Sequence, residues 1–316
     1  MPPTFQRDRF TWLAYLLLAF YGYYINVLGP ITPFLKNELG LTYTVSSLHY
    51  TAFALGILLV GLGGNLVTAR LGRWRSLWVA AFGLSLGTLL LLLGKTPAVT
   101  IGASLLMGLV GSLTLIIVAS ALSDQHGELR AVALSEANVI ASLVASAAPL
   151  MVGGFAGLPG GWRLALGLVA LTPLVLYPLF RRARPAELPP VPETVSQPAR
   201  GLPPLYWAYW LGIVLAVAAE FCMISWSADY FETVLGLSKP QAAQAVSLFF
   251  VAMILGRLAG SRLVQRVTPH RLVPAATLVA LAGVLLYWRA GSAAQGMFGL
   301  FVTGLGIASI YPLILS

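Results

Sequence analysis

The sequence predicts an all-α polytopic membrane protein, and three observations lead to this fold class. Hydrophobic residues make up 58% of the 316 positions and charged residues only 9%, and the mean hydropathy is +0.85. A soluble domain is about one-quarter charged, so most of this protein's surface must face lipid. The apolar residues also form runs of about 20 or more. This length suits a membrane-spanning helix, whereas a barrel strand needs only about ten residues.

Ten apolar runs are long enough to cross a membrane, and we number them as spans 1 to 10. Span 1 follows the basic start MPPTFQRDRF without a small-residue cleavage site, which predicts a retained helix rather than a signal peptide. Short polar or basic segments separate the later spans. The predicted spans are 10–34, 44–69, 74–94, 98–122, 130–154, 162–180, 205–229, 240–265, 272–290 and 295–316.

The basic residues between the spans predict the orientation. With the N-terminus inside, thirteen arginines lie in inner segments and five basic residues in outer ones. The inner arginines are Arg7, Arg9, Arg70, Arg73, Arg75, Arg130, Arg181, Arg182, Arg184, Arg200, Arg262, Arg266 and Arg271. The outer set is Lys36, Lys95, Arg163, Lys239 and Arg289. The positive-inside rule therefore predicts a cytoplasmic N-terminus, in a bacterial inner membrane. Because the net charge of +9 comes from clusters between apolar runs, it indicates lipid as the partner and no nucleic acid.

A proline-rich segment divides the spans into six and four. Residues 181–204 read RRARPAELPPVPETVSQPARGLPP, with seven prolines and no apolar period. Such a sequence is typical of a linker. We therefore predict an N-terminal six-helix bundle over 1–180, a cytoplasmic linker over 181–204 and a C-terminal bundle over 205–316.

The two halves repeat one pattern at an offset of 196 residues. LGLT at 39–42 matches LGLS at 235–238. The pattern G-x5-R-x4-R occurs at Gly64, Arg70 and Arg75 and again at Gly260, Arg266 and Arg271. An even number of spans separates the copies, which predicts parallel repeats about an axis along the membrane normal. The offset also predicts two further spans. The second six-helix repeat is therefore expected to be truncated after span 10, with four of its helices present.

The stretch GLGGNLVTARLGRWR at 61–75 resembles the signature turn between helices 2 and 3 of the major facilitator superfamily, G-x-L-x-D-R-x-G-R-R. Arg70, Gly72 and Arg73 match that motif, whereas Asn65 replaces its first glycine and Ala69 replaces its aspartate. The resemblance covers essentially the whole chain. It implies two six-helix bundles that move a solute by alternating access.

Two further stretches carry narrower resemblances. Span 10, GLGIASIYPLILS, is similar to the matching helix of fucose-permease-like sugar porters. Spans 1 and 4 lack the acids which that group uses, so neither fucose nor its proton sites are carried over. In span 5, ASLVASAAPLMVGG is faintly similar to the antiporter motif of drug exporters, through Pro149 and the pair Gly153–Gly154.

Three charged residues inside spans are candidate functional residues, because a charge in hydrocarbon costs at least about 2.5–3.5 kcal/mol. Glu220 lies about fifteen residues into span 7 with no lysine or arginine nearby in sequence. An unpaired carboxyl there is expected to take up a proton, which makes Glu220 the candidate for proton coupling; a protonated structural carboxyl is the alternative. The resemblance places spans 5 and 8 opposite each other, so Glu136 and Arg257 are expected to bridge them at an inner gate. Alternatively, Glu136 pairs with an inner-turn arginine and Arg257 reaches the inner surface.

The remaining candidates line the expected cavity and its inner side. Asn138 and Ser142 form a polar face on span 5, and Asn26 lies one turn from Gly22 on span 1. Aromatic or histidine side chains complete the predicted substrate set, which is Asn26, Tyr23, His49, Asn138, Ser142 and Trp226. Membrane anchoring by the aromatic residues and a structural hydrogen bond by the histidine are the alternatives. Arg70, Arg73 and Arg266 are expected to latch the inner gate, with Asp124, Glu128 and Glu136 as partners for the first turn.

The sequence therefore predicts a secondary active transporter of a small organic solute, coupled to protons and monomeric. The alternatives are an exporter of amphipathic compounds and a non-transporting membrane receptor or scaffold. We predict no enzyme, cofactor or metal site, because the chain has no phosphate-binding loop, no nucleophile elbow and no metal-ligand spacing, and Cys222 is its one cysteine.

Overall fold

The computed structural model describes residues 5–185, 203–264 and 266–314, and these ranges are helical without strands. Asp8 begins the first helix by accepting a 2.8 Å hydrogen bond from the Thr11 amide. The helices are α1 (Arg9–Leu39), α2 (Tyr43–Leu71), α3 (Arg73–Leu93), α4 (Pro97–His126), α5 (Arg130–Phe155), α6 (Trp162–Ala170), α7 (Thr172–Phe180), α8 (Pro204–Thr233), α9 (Lys239–Ala245), α10 (Ser247–Leu263), α11 (Pro269–Trp288) and α12 (Ala293–Ile314).

Nine helical segments among the described residues are long and apolar enough to cross a membrane. One of them, Pro97–Phe155, is 59 residues long and contains both α4 and α5, joined by the 3-10 turn Gly127–Leu129. It therefore accounts for the two predicted spans 4 and 5. The predicted all-α polytopic fold class is confirmed.

The turn with the predicted signature is a single residue long. α2 ends at Leu71 and α3 begins at Arg73, so Gly72 alone reverses the chain. Its φ of 75° lies in the left-handed region, where a Cβ atom is strained. Glycine at this position is therefore a requirement of the backbone.

Span 6 was predicted as one helix, and the structure divides it into α6 and α7 at Leu171. Pro173 explains the break, because it has no amide hydrogen to donate to the carbonyl of Val169. The Ala170 carbonyl at the break accepts a 2.7 Å hydrogen bond from the Ser85 hydroxyl of α3. Span 8 is likewise divided into α9 and α10, at Val246.

The chain forms two compact units, Met1–Glu187 and Leu188–Ser316. In the first unit α1 packs chiefly against α5 and α4, and twenty of its thirty-one residues are buried. In the second unit α12 packs against α11, α10 and α8. Most of the predicted linker, residues 186–202, lies outside the described residues. The assignment of domains to 1–180 and 205–316 stays a prediction.

Close helix packing recurs in both units at the offset of 196 residues. Gly108 of α4 lies against the Phe53 carbonyl of α2, so closely that a methyl group there would overlap it. At the matching positions, a methyl group on Gly304 of α12 would lie 2.8 Å from the Phe249 carbonyl of α10. A second pair of contacts matches in the same way: Gly87 with Met107, and Gly283 with Thr303. The recurrence supports the predicted repeat, which stays a prediction.

Candidate functional site

The acid predicted to carry protons faces an arginine of another helix. The Nη2 atom of Arg257 on α10 lies 4.0 Å from Oε1 of Glu220 on α8, with the two side chains 45% and 22% exposed. At 1.5 Å per residue, Glu220 lies roughly 24 Å along α8 and Arg257 about 9 Å before the end of α10. The expectation that Glu220 is unpaired was wrong. Its partner comes from a helix that is distant in sequence.

Glu136 on α5 binds the N-terminal segment. Its carboxylate accepts hydrogen bonds from Nε and Nη2 of Arg7 at 2.8 and 2.5 Å, and the Tyr15 hydroxyl donates to it at 3.1 Å. Hydrogen bonding to this carboxylate raises the pKa of the Arg7 guanidinium above its ordinary value. The predicted bridge between Glu136 and Arg257 joins residues of different units and stays a prediction. Each member has another charged partner within its own unit.

Sequence reasoning missed a polar network beside this ion pair. The Oδ2 atom of Asp8 accepts a 2.5 Å hydrogen bond from Gln125 at the end of α4, while Oδ1 accepts from the Thr11 hydroxyl at 2.7 Å. That hydroxyl also lies 2.9 Å from Nε2 of His126. The start of α1 is therefore attached to the C-terminal end of α4 and to the second turn of α5. These partners are more than a hundred residues apart, so no local sequence signal indicated them.

Arg73 of the signature turn binds Asp124. Its Nη1 atom lies 2.5 Å from Oδ2 of Asp124, which joins the start of α3 to the last turn of α4. Asp124 is one of the three acids expected as partners for this turn. Arg70 and Arg266 are both exposed, Arg70 in the last turn of α2 and Arg266 just after α10.

We expect Arg73→Ala and Asp124→Ala to lower the thermal stability of the purified protein by similar, small amounts. Both side chains are about one-third exposed, so solvent screening limits the pair to roughly 0.5–1 kcal/mol. The double variant should be no less stable than the single variants, because the second substitution removes a residue that is already unpaired. Melting temperatures in detergent measure this, with the exposed Arg75→Ala as the matched control. Additive losses in the double variant would contradict the pairing.

Three of the predicted substrate residues, all in the first unit, make hydrogen bonds within the protein. Tyr23 is buried and donates a 3.0 Å hydrogen bond to the Ala165 carbonyl of α6. His49 is also buried, with Nε2 2.8 Å from the Thr100 hydroxyl, and it lines a small open pocket between α1 and α2. Asn26 donates to Gly22 of its own helix at 2.8 Å.

The other three predicted substrate residues lie on α5 and α8. Asn138 on α5 is exposed and donates a 2.8 Å hydrogen bond to the Leu134 carbonyl of its own helix. Ser142, one turn further along α5, and Trp226 on α8 are half-buried. Their roles in substrate binding stay predictions.

Asp229 is a buried acid that the sequence analysis overlooked. It lies nine residues after Glu220 on α8 and is 4% exposed. The signal was present in the sequence, since an acid near the end of an apolar run is costly in a membrane. Among the described residues, no group of three or more His, Cys, Asp or Glu side chains is placed to hold a metal ion.

Comparison with known proteins identifies the family. The family model described as Major Facilitator Superfamily matches residues 12–316. The chain belongs to the Major Facilitator Superfamily. It is therefore a multi-pass membrane protein of a family of transporters.

Two relatives are similar to this chain in sequence over most of its length. An uncharacterized MFS-type transporter of Yersinia pestis is 27% identical over 94% of this chain and 77% of its own length. The TsgA homolog of Erwinia tasmaniensis is 23% identical over 98% of this chain and 80% of its own length.

Solved transporter structures share the fold. A bacterial homolog of the human lysosomal transporter Spinster, inward-facing and occupied, gives a TM-score of 0.77 at 17% identity, over 98% of this chain and 74% of that one. The D-xylose–proton symporter gives a TM-score of 0.73 at 15% identity, over 97% of this chain and 81% of that one. At these identities the likeness shows the fold alone.

Proposed function

We propose that this protein is a secondary active transporter that moves a small organic solute by alternating access, with proton movement through Glu220 as the energy source. The observation that carries the proposal is the pairing of Glu220 with Arg257 inside two membrane-spanning helices. Family membership supports the transport part of the proposal.

The physical argument concerns the cost of charge in a membrane. Asp, Glu, Lys and Arg within spans are rare, and where they occur they pair with one another or line a water-filled path. An acid that pairs with an arginine changes the charge of the site when it binds a proton. Proton binding to Glu220 removes the negative charge that faces Arg257. Glu220 is thus suited to couple proton binding to a change in the groups that the Arg257 guanidinium attracts.

The other predicted residues complete the proposal. Opening and closing of the inner side is assigned to Glu136 and Arg257 together with the arginines of the inner turns, Arg70, Arg73 and Arg266. The solute site is assigned to Asn26, Tyr23, His49, Asn138, Ser142 and Trp226. The protein is proposed to act as a monomer in a bacterial inner membrane, with a cytoplasmic N-terminus.

Proton flux in proteoliposomes tests the proposal. The purified protein is reconstituted with the pH-sensitive dye pyranine inside the vesicles, and a panel of sugars, amino acids, carboxylates and amines is added outside. We expect at least one compound to change the lumenal pH, and empty vesicles to show no such change. If no compound in the panel moves protons through the protein, proton-coupled transport is wrong.

A further inference from the structure

We propose that the start of α3 and the end of α7 form a binding site for an anionic phospholipid. Arg75 and Arg181 hold the phosphate of this lipid. The exposed rings of Phe82 and Tyr177 contact its acyl chain. These four residues are called the α3–α7 site. Lipid binding goes beyond the proposed function and does not depend on transport. It uses only the proposed orientation, which places both helix ends at the cytoplasmic leaflet.

Aromatic side chains join the two helices at this place. The ring centroids of Trp78 on α3 and Tyr177 on α7 lie 5.0 Å apart, edge to face, and that of Phe82 lies 6.0 Å from Tyr177. Trp78 is five residues after the start of α3, and Tyr177 is three residues before the end of α7. At 1.5 Å per residue, these positions are about 8 Å and about 5 Å from the respective helix ends. The start of α3 therefore lies beside the end of α7.

The two arginines lie on adjoining faces of these helices. Successive residues of a helix are about 100° apart, so Arg75 is about 60° from Trp78 around α3 and about 160° from Arg73, which pairs with α4. On α7, Arg181 follows Tyr177 by four residues, about 40° around the helix, and its backbone is still helical. Both arginines are thus one turn nearer to the inner surface than the aromatic contact.

The charge of the α3–α7 site suits an anion. Arg75 and Arg181 are exposed, and neither has a hydrogen bond or an ion pair within the part of the chain that the structure describes. α3 and α7 contain no Asp or Glu, so neither helix supplies a carboxylate to the guanidinium groups. Arginine matches a phosphate well because its planar fork can donate two parallel hydrogen bonds.

The apolar surface beside the arginines selects a lipid over a soluble anion. Tyr177 is 45% exposed and Phe82 is 36% exposed, and Val79 and Leu174 on the same two helices are also exposed. Both helices belong to candidate membrane spans, so this surface faces acyl chains. Basic pockets between membrane helices on the cytoplasmic side bind anionic headgroups. A free phosphate or a nucleic acid would contact the arginines alone and leave the apolar surface uncovered.

A lipid in the α3–α7 site should stabilise the first unit. The ring contacts join α7 to α3, and α7 is separated from α6 by the break at Leu171. A phosphate that binds both arginines adds a polar bridge between α3 and α7. The melting temperature of the protein is therefore expected to rise when the lipid binds.

Native mass spectrometry of the purified whole chain in detergent measures the binding. The probes are phosphatidylglycerol and phosphatidylcholine with identical acyl chains, and inorganic phosphate is added as a competitor. We expect phosphatidylglycerol to bind at least about tenfold more tightly, since each arginine near an anionic lipid contributes about fivefold. It should also raise the melting temperature more than phosphatidylcholine does. An equal concentration of inorganic phosphate should not displace it.

Variants of the arginines test the location of the site. Arg75→Gln and Arg181→Gln should each weaken phosphatidylglycerol binding about fivefold and leave phosphatidylcholine binding unchanged. Arg181→Lys keeps the charge and should retain part of the affinity. Arg262→Gln removes an exposed arginine from the last turn of α10 and is the matched control. Because the substituted side chains are exposed, each variant should melt like the parent when lipid is absent.

Three results would overturn the assignment. Equal binding of the two lipids would show that the headgroup charge is not recognised. A loss in Arg262→Gln as large as that in Arg181→Gln would show diffuse attraction without a site. Displacement by inorganic phosphate would show a site for a free anion. Failure of the proposed transport function would change none of these measurements, since they use neither a solute nor a gradient.

Discussion

Glu220→Gln is expected to abolish proton-driven accumulation while solute exchange continues. Glutamine keeps the shape of the side chain and its hydrogen bonding but cannot take up or release a proton. The site of the variant therefore resembles the protonated state permanently, so solute still binds and exchanges across the membrane. The empty carrier, however, cannot restore the neutral pair with Arg257, and net uphill transport stops.

Two assays on the same proteoliposomes measure the separate effects. Accumulation of radiolabelled solute under an imposed pH gradient should fall to the level of empty vesicles, whereas counterflow exchange should stay close to that of the parent. Glu232→Gln removes a carboxylate from the same helix and is the matched control. If Glu220→Gln accumulates solute like the parent, proton coupling through Glu220 is wrong. Loss of exchange together with accumulation would instead assign Glu220 to solute binding.

Gly108→Ala is expected to prevent stable folding of the first unit. The added methyl group would overlap the Phe53 carbonyl, which belongs to the backbone of a neighbouring helix and cannot move aside as a side chain can. Overpacking of this kind costs roughly 3 kcal/mol, and the separation of α2 from α4 would have to increase along its length. A large fall in melting temperature and in the yield of monodisperse protein would show the effect.

The same helix supplies the control for this prediction. Gly102 is exposed, and a methyl group there would have no neighbour within 4 Å. Alanine is a better helix former than glycine by about 0.5–1 kcal/mol, so Gly102→Ala should be as stable as the parent or slightly more stable. Gly304→Ala, at the matching position of the second unit, should also destabilise. A melting temperature of Gly108→Ala equal to that of the parent would refute the close packing.

The sequence was sufficient to predict the membrane spans but not their internal breaks. Runs of apolar residues identify a span because lipid selects for them along the whole length of a helix. Span 6 was nevertheless predicted as continuous although Pro173 is visible in the sequence. Proline is tolerated in membrane helices when neighbours satisfy the backbone, and the side chain that does so, Ser85, belongs to another helix.

Charged residues inside the spans were found from the sequence, but their partners were not. Glu220 and Glu136 stand out because acids are rare in apolar runs. Their pairing with Arg257 and Arg7 depends on how distant helices pack, which a single sequence does not contain. Asp229 was missed for a different reason. It lies close to the end of its span, where a charge is ordinarily assigned to the adjoining loop.

The interruption of span 6 has a mechanical consequence. A continuous helix resists bending because its backbone hydrogen bonds stretch on the convex side, whereas the bond that would cross Leu171 is already absent at Pro173. α6 and α7 can thus change their mutual angle with little loss of backbone hydrogen bonding. The Ser85 hydroxyl holds the Ala170 carbonyl at this point and fixes the pivot to α3. The break at Leu171 is therefore a point of elastic compliance in the last membrane-crossing segment of the first unit.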